Sequence, residues 1–261
     1  MRKTISRFRD FVISRFSMPR SGSPDDSPFT AAGVSSPSRP MIRLVSASIV
    51  SLLFLTTLPL SSFADSVHDV ARRVDVRYNH LTTLKTHFEE SYNGAGITRN
   101  ESGELWLRKP GKMRWQYERP TQKVFIVDGK NAYFYVPSER QARKMPAKKL
   151  DDFRSPIRYL LGKTKLESEF NNLVISTDPP RQSGNFVLQG IPKGMEDRVQ
   201  RVLLEITPAN QIVRIRIEEI DGSVTEFLFA DIQENVAVKS ELFRFTPPSG
   251  VEVIEAENLE P

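Results

Sequence analysis

Residues 103–117, GELWLRKPGKMRWQY, constrain this chain more than any other stretch. Two β-patterned runs meet across Lys109-Pro110-Gly111. In the second run Met113, Trp115 and Tyr117 alternate with Arg114, Gln116 and Glu118, the two-residue period of a strand with one apolar and one wet face. In the first run Leu105 and Leu107 share a side with Lys109, so an ammonium group ends a row that is otherwise apolar. Burying an unpaired charge is costly enough that the group finds partners or titrates away. Lys109 therefore either curls back to water along its flexible stem, as in an ordinary hairpin, or meets acceptors where the row ends.

Charge excludes one class of partner. Residues 1–64 hold eight of the 37 basic side chains and three of the 32 acidic ones, which leaves 29 of each in residues 65–261. The body of the protein is formally neutral and carries no nucleic-acid footprint. Cysteine does not occur, so a disulfide framework, a thiol nucleophile, a thiolate metal site and an acylated N-terminal cysteine are all excluded.

Residues 41–64 read as a secretory signal. Arg43 is the short basic start, 49–60 the apolar centre, and Ser62-Phe63-Ala64 the small-x-small site, with cleavage expected after Ala64. The apolar centre is too short and too interrupted for a membrane span, which takes about 20 residues. Residues 1–40 sit awkwardly before such a signal. A basic segment with Ile5, Phe8, Val12 and Phe16 at helical spacing runs into a Ser/Pro-rich stretch that should be disordered. It reads as a membrane-surface helix or as an extension upstream of a true start at Met41, and the second reading is preferred.

Residues 65–261 have the size of one domain. Ser66 and Asp69 make a capping-box start, and Val67, Val70, Val74, Tyr78 and Leu81 recur at three and four, which predicts one amphipathic helix. Strands are expected at 85–92, 101–108, 112–118, 123–127, 131–136, 172–176, 186–189, 200–207, 212–219, 223–231 and 244–253, with turn signals at Asp128-Gly129, Pro208-Ala209-Asn210 and Asp221-Gly222. Val213, Ile215 and Ile217 against Arg214, Arg216 and Glu218 predict a strand with one face in water. A second helical piece is expected at 156–161, capped by Ser155, with Ile157, Leu160 and Leu161 on one side. The expected fold is α+β and mainly β: an incomplete, strongly curved antiparallel barrel of about ten or eleven strands, with helices as a lid over its concave face.

Catalytic chemistry finds no residues to carry it. His68, His80 and His87 lack the spacing of a metal site, Glu89-Glu90 and Glu218-Glu219 point to opposite sheet faces, and no nucleophile elbow, phosphate loop or Cys/His cluster occurs. The expectation is a binding protein with no catalytic residue, no metal and no cofactor. Phe88, Trp115, Tyr117, Tyr133, Tyr135, Phe186 and Phe227 lie at alternating positions of different strands. Each can be plain core. A half-barrel lined this way and covered by movable helices would instead offer a long apolar pocket suited to acyl chains. The residues assigned to it are Phe88, Leu105, Leu107, Met113, Trp115, Tyr117, Tyr133, Tyr135, Ile157, Leu160 and Leu161.

A wider set of motifs carries a resemblance. Gly103-x-Leu105-Trp106-Leu107-Arg108-Lys109-Pro110, Trp115, Asp128-Gly129-Lys130, Tyr133-Phe134-Tyr135-x-Pro137, Ser155-Pro156-Ile157 and Phe243-x-Phe245-x-Pro247-Pro248-x-Gly250-Val251 follow one another from Asp65 to about Val253. In that order they resemble the LolA family of periplasmic outer-membrane lipoprotein carriers. The resemblance implies a monomeric carrier that receives triacylated lipoproteins from an inner-membrane ABC transporter and delivers them to an outer-membrane receptor. It also implies a latch at position 109, usually arginine in the family, that hydrogen-bonds carbonyls of the covering helices when the site is empty. Here the latch is Lys109, without the planar fork, while Arg108 points outward by alternation, so a looser lid is expected. The acidic residues Glu252, Glu255, Glu257 and Glu260 fit a tail kept off anionic lipid. Two other classes stay open, a periplasmic lipid-binding sensor of envelope or lipoprotein stress and a small secreted hydrolase.

Overall fold

The structure is a computed structural model that describes residues 66–150, 160 and 165–256. The extension at 1–40, the signal at 41–64, the expected helical piece at 156–161 apart from Leu160, its Ser155 cap, and the tail acids Glu257 and Glu260 lie outside the described residues.

Ser66 opens the first helix as the capping pattern requires. Its Oγ accepts the Asp69 N–H at 3.1 Å, and helix α1 follows over Val67–His80. Val70, Ala71, Val74 and Tyr78, spaced by one, three and four, make its buried stripe.

Strands then follow without interruption: β1 Thr83–Gly94, β2 Ile97–Arg108, β3 Lys112–Arg119, β4 Lys123–Val127, β5 Asn131–Tyr135 and β6 Gln141–Pro146. The 3₁₀ turn Ala147–Leu150 and the single-turn helix α2, Leu166–Glu169, precede β7 Phe170–Ile175, β8 Phe186–Pro192, β9 Val199–Ile206, β10 Ile212–Glu219 and β11 Val224–Glu234. A 3₁₀ turn at Ser240–Phe243 leads to β12, Glu252–Glu255.

Among the described residues these twelve strands form one sheet in the order β12-β6-β5-β4-β3-β2-β1-β11-β10-β9-β8-β7. Its two margins, β12 and β7, are not joined, so the sheet is unclosed. Neighbours are antiparallel except β12, which runs parallel to β6. Register slips at Lys85/His87, Ser102/Gly103 and Asn171/Val174 bend the strands as an extra residue on one side does, which curves the sheet.

Two sequence expectations about strands change. β6 was not expected, because QARKMP has no β-branched or aromatic residue and puts two charges in its middle. A strand at 244–253 gives way to an extended segment and the short β12. Pro247 and Pro248 have no N–H to give to a ladder, and Gly250 turns the chain with φ +77° just before β12 begins.

The wet face of β10 is not in water either. Arg214 donates to Glu226 Oε2 at 2.7 Å and pairs with Glu205 at 3.3 Å, with its side chain 12% exposed. Arg216 and Arg201 both pair with Glu218. Alternating charges on neighbouring strands satisfy one another, and the chain around Arg181 closes over them through backbone N–H groups of Arg181 and Gln182 donated to Glu205.

Candidate functional site

Antiparallel register brings one residue of each strand onto a common row, and three such rows build the apolar face. Leu84, Leu107, Met113 and Val127 make one, Thr86, Leu105, Trp115 and Phe125 the next, and Phe88, Gly103, Tyr117 and Lys123 the third. Phe88 meets the edges of Trp115 at 4.6 Å and Tyr117 at 5.0 Å, and Trp115 meets Phe227 of β11 at 5.8 Å. Such edge-on aromatic pairs add to the burial of their area. Gly103 is what lets the third row close up. A Cβ on it would lie 1.9 Å from the Gln116 carbonyl oxygen.

The buried stripe of helix α1 belongs to the same core as this face. Val70, Ala71, Val74 and Tyr78 join Phe88, Leu105, Leu107, Trp115, Tyr117 and Leu160 in one buried cluster, with Met113 packed against it from the side. Tyr78 also ties helix to sheet through polar contact, its hydroxyl accepting the Ile212 N–H at 2.9 Å. Burial, and then the nearby Glu234 charge, pushes that phenol far above its ordinary range.

Lys109 stands at one end of the face. Its peptide bond to Pro110 is cis, its N–H donates to the Thr82 carbonyl, and its Nζ donates to the carbonyl oxygens of Tyr78, at 2.5 Å, and Asn79, at 3.2 Å. These are carbonyls of the last turn of α1, where the helix has spare acceptors and the negative end of its dipole. The acceptors anticipated for this ammonium are therefore at the end of the long helix. Arg108, the next residue back, turns outward and donates to Val238 O and Ser240 Oγ.

Glu90 stands at the other end. It follows Phe88 on the inner side of β1 and is 2% exposed. The Tyr117 hydroxyl donates to its Oε2 at 2.9 Å. Burial first, and then the charge of Glu101 directly across the strand pair, pushes its pKa up to about 7. Glu101 itself is paired, to Lys123 at 2.7 Å and Arg99 at 3.0 Å, and Lys123 lies over the Tyr117 ring.

The structure separates the residues assigned to the acyl site into two groups. Phe88, Leu105, Leu107, Trp115, Tyr117 and Leu160 are in the buried cluster and Met113 borders it. Tyr133 and Tyr135 are a correction. On β5 it is Ala132 and Phe134 that face inward, as does Val136 just after the strand, while Tyr133 and Tyr135 lie on the opposite face and pack on Phe245 at 5.3 and 5.7 Å. Both rows of β5 are apolar enough to be buried, so alternation alone could not say which one faced the helix. Glu90 is not among the residues expected at the site, because its pairing with the adjacent Glu89 on opposite sheet faces hides its inward position. The signal was present in the row Leu84, Thr86, Phe88, Glu90, Tyr92, where a carboxyl falls among buried side chains.

Among the described residues no three His, Cys, Asp or Glu side chains are placed to hold a metal ion, and no helix is long and apolar enough to cross a membrane.

Fold and site together define a mainly β protein with a single unclosed sheet, whose apolar face shares one buried cluster with a long helix, and whose Lys109 ammonium donates to carbonyls of the last turn of that helix. Residues 79–246 match the family model described as outer membrane lipoprotein carrier protein LolA, and the chain belongs to that family. The outer-membrane lipoprotein carrier protein of Nitrosomonas europaea is 28% identical over 82% of this chain and 99% of its own length. That of Nitrosospira multiformis is 32% identical over 60% and 74%, and that of Pectobacterium carotovorum 29% identical over 70% and 86%.

Proposed function

We propose that this protein is a periplasmic carrier of acylated lipoproteins. It is exported by the signal at 41–64 and released after Ala64. It takes triacylated lipoproteins from an inner-membrane ABC transporter, shelters their acyl chains on the aromatic face of the sheet, and passes them to an outer-membrane lipoprotein receptor. Family membership and the names of its relatives support the class of cargo. The geometry supports the way it is handled.

Three acyl chains with roughly forty methylenes need shelter on the order of 30 kcal/mol relative to water, at about 0.8 kcal/mol per methylene. A bilayer offers the same shelter, so the carrier competes with lipid and must make release favourable. A helix that closes over the emptied face does this, provided closure brings an interaction that the occupied state lacks. The single observation that carries the reading is the ammonium of Lys109 donating to the Tyr78 and Asn79 carbonyls. It is a bond between the sheet and the covering helix, broken when the helix lifts and regained when it settles. In this role Lys109 is the latch, α1 the principal cover, and Phe88, Leu105, Leu107, Met113, Trp115, Tyr117 and Leu160 the surface that acyl chains replace.

Native mass spectrometry of the protein isolated from its own periplasm tests the reading. A bound lipoprotein is expected, and a protein carrying phospholipid or nothing at all overturns it.

A further inference from the structure

Glu90 Oε1 is buried and has no hydrogen-bond partner, while Oε2 of the same carboxyl accepts from Tyr117. A buried polar atom left unpaired is uncommon and calls for a second state or a ligand that satisfies it. Its place is specific. Along β1 it lies between Phe88 and the buried Tyr92, just past the three apolar rows, and about 20 Å separates it from Leu84 at the Lys109 end, at about 3.3 Å per residue. The groups that face it are Tyr117 on β3, Glu101 and Arg99 on β2 and Lys123 on β4. Both cations pair with Glu101, Arg99 through Nε, while the Arg99 Nη2 is also buried without a hydrogen-bond partner. Glu90 is thus a polar group set into the buried row of β1 between Phe88 and Tyr92, held next to a like charge and raised to about 7, so that near neutral pH a large share of it carries a proton that Oε1 can donate.

We propose that Glu90 binds the carbonyl oxygen of the ester or amide linkage that joins an acyl chain to its headgroup, and so sets which way the chains lie on the sheet. The inference rests on the carrier reading and deepens it. Chains would run from Glu90 toward the latch, with the headgroup and its protein at the end of the sheet where β1 turns into β2. A site that reads the linkage distinguishes acylated ligands from plain hydrocarbon, which an apolar wall alone cannot do. Glutamine at this position keeps an N–H for the ligand and an acceptor for Tyr117. Leucine keeps the volume and offers neither.

The experiment uses isothermal titration of the mature protein with 1,2-dioctanoylglycerol and with the matching 1,2-dioctyl ether, which has the same chains and no carbonyl, at pH 6 and pH 8.5. Wild type is expected to bind the ester about fivefold to tenfold more tightly at pH 6, the range given by one neutral hydrogen bond. That preference should shrink at pH 8.5, be lost at both pH values in Glu90→Leu, and persist at both in Glu90→Gln. Equal affinity of wild type for the two ligands, or a preference that survives in Glu90→Leu, overturns the inference and leaves the carrier reading standing. Binding of neither ligand overturns both.

Discussion

Arg77 and Glu234 meet as a two-pronged ion pair, Nε to Oε1 and Nη2 to Oε2, both at 2.7 Å. Arg77 is on the last turn of α1 and Glu234 is the final residue of β11, so the pair fixes the helix to the strand beside β1. Arg77 Nη1 adds a bond to the Ala209 carbonyl at 2.9 Å. With side chains 29% and 17% exposed, the pair lies between a surface bridge, worth little, and a buried one, whose breakage is severe. Arg77→Ala should destabilise the protein by roughly 2 kcal/mol, read as a shift of the urea midpoint at constant slope. Arg72→Ala removes the exposed pair with Asp69 and should change stability by less than about 0.5 kcal/mol.

The Lys109 contact gives a prediction about exchange and one about transfer. An arginine there would offer a planar fork to the same two carbonyls of α1, where lysine offers a single rotating ammonium. Lys109→Arg should slow amide hydrogen exchange in α1, and unchanged exchange would count against position 109 as the latch. Lys109→Leu should load lipoprotein yet transfer it more slowly to the receptor, because closing no longer restores a bond. Equal transfer by the two proteins in a reconstituted assay would sink the latch.

Glu90 makes stability depend on pH in a direction unusual for a carboxylate. Its folded-state pKa is about 7, raised from an ordinary 4.5, so folding disfavours the charged form. Its own contribution to stability is therefore full below about pH 4.5 and is lost, by on the order of 3 kcal/mol, as pH rises through about 7. Glu90→Gln cannot titrate, so its advantage over wild type should grow by that amount between pH 4.5 and 8, measured as paired urea midpoints. Asp75, raised to about 6 by burial, slopes the same way in both proteins and cancels in the comparison.

Gly103 permits the closest approach within the site. A methyl group there meets the Gln116 carbonyl at 1.9 Å, and since that oxygen belongs to the strand backbone it cannot rotate away. Gly103→Ala should part β2 from β3, cost roughly 3 kcal/mol, and weaken the near-ultraviolet circular dichroism of Trp115 and Tyr117.

The sequence was most informative where a pattern was local. The hairpin of β2 and β3, the capped helix α1 and the inward row ending in Lys109 follow from period and turn chemistry within a few residues. What was missed depends on distant partners. Tyr133 and Tyr135 look like core until Phe245 is seen to cover them from far along the chain. The charges of β10 look solvated until Glu205 and Arg201 of β9 and Glu226 of β11 are brought alongside by neighbouring strands. Glu90 and Glu101 become a pair when β1 and β2 are placed in register, which alternation along one strand does not reveal.

The two margins of the sheet are guarded differently. β12, arriving last, lies parallel along β6 and occupies its backbone groups from Gln141 to Lys144. β7 at the far side carries an irregularity between Asn171 and Val174, with Asn172 in the left-handed region at φ +53°. A kinked margin offers a poor template for another molecule's strand. Straightening that kink would turn the β7 margin into a flat row of free backbone groups on which a second chain could add a strand.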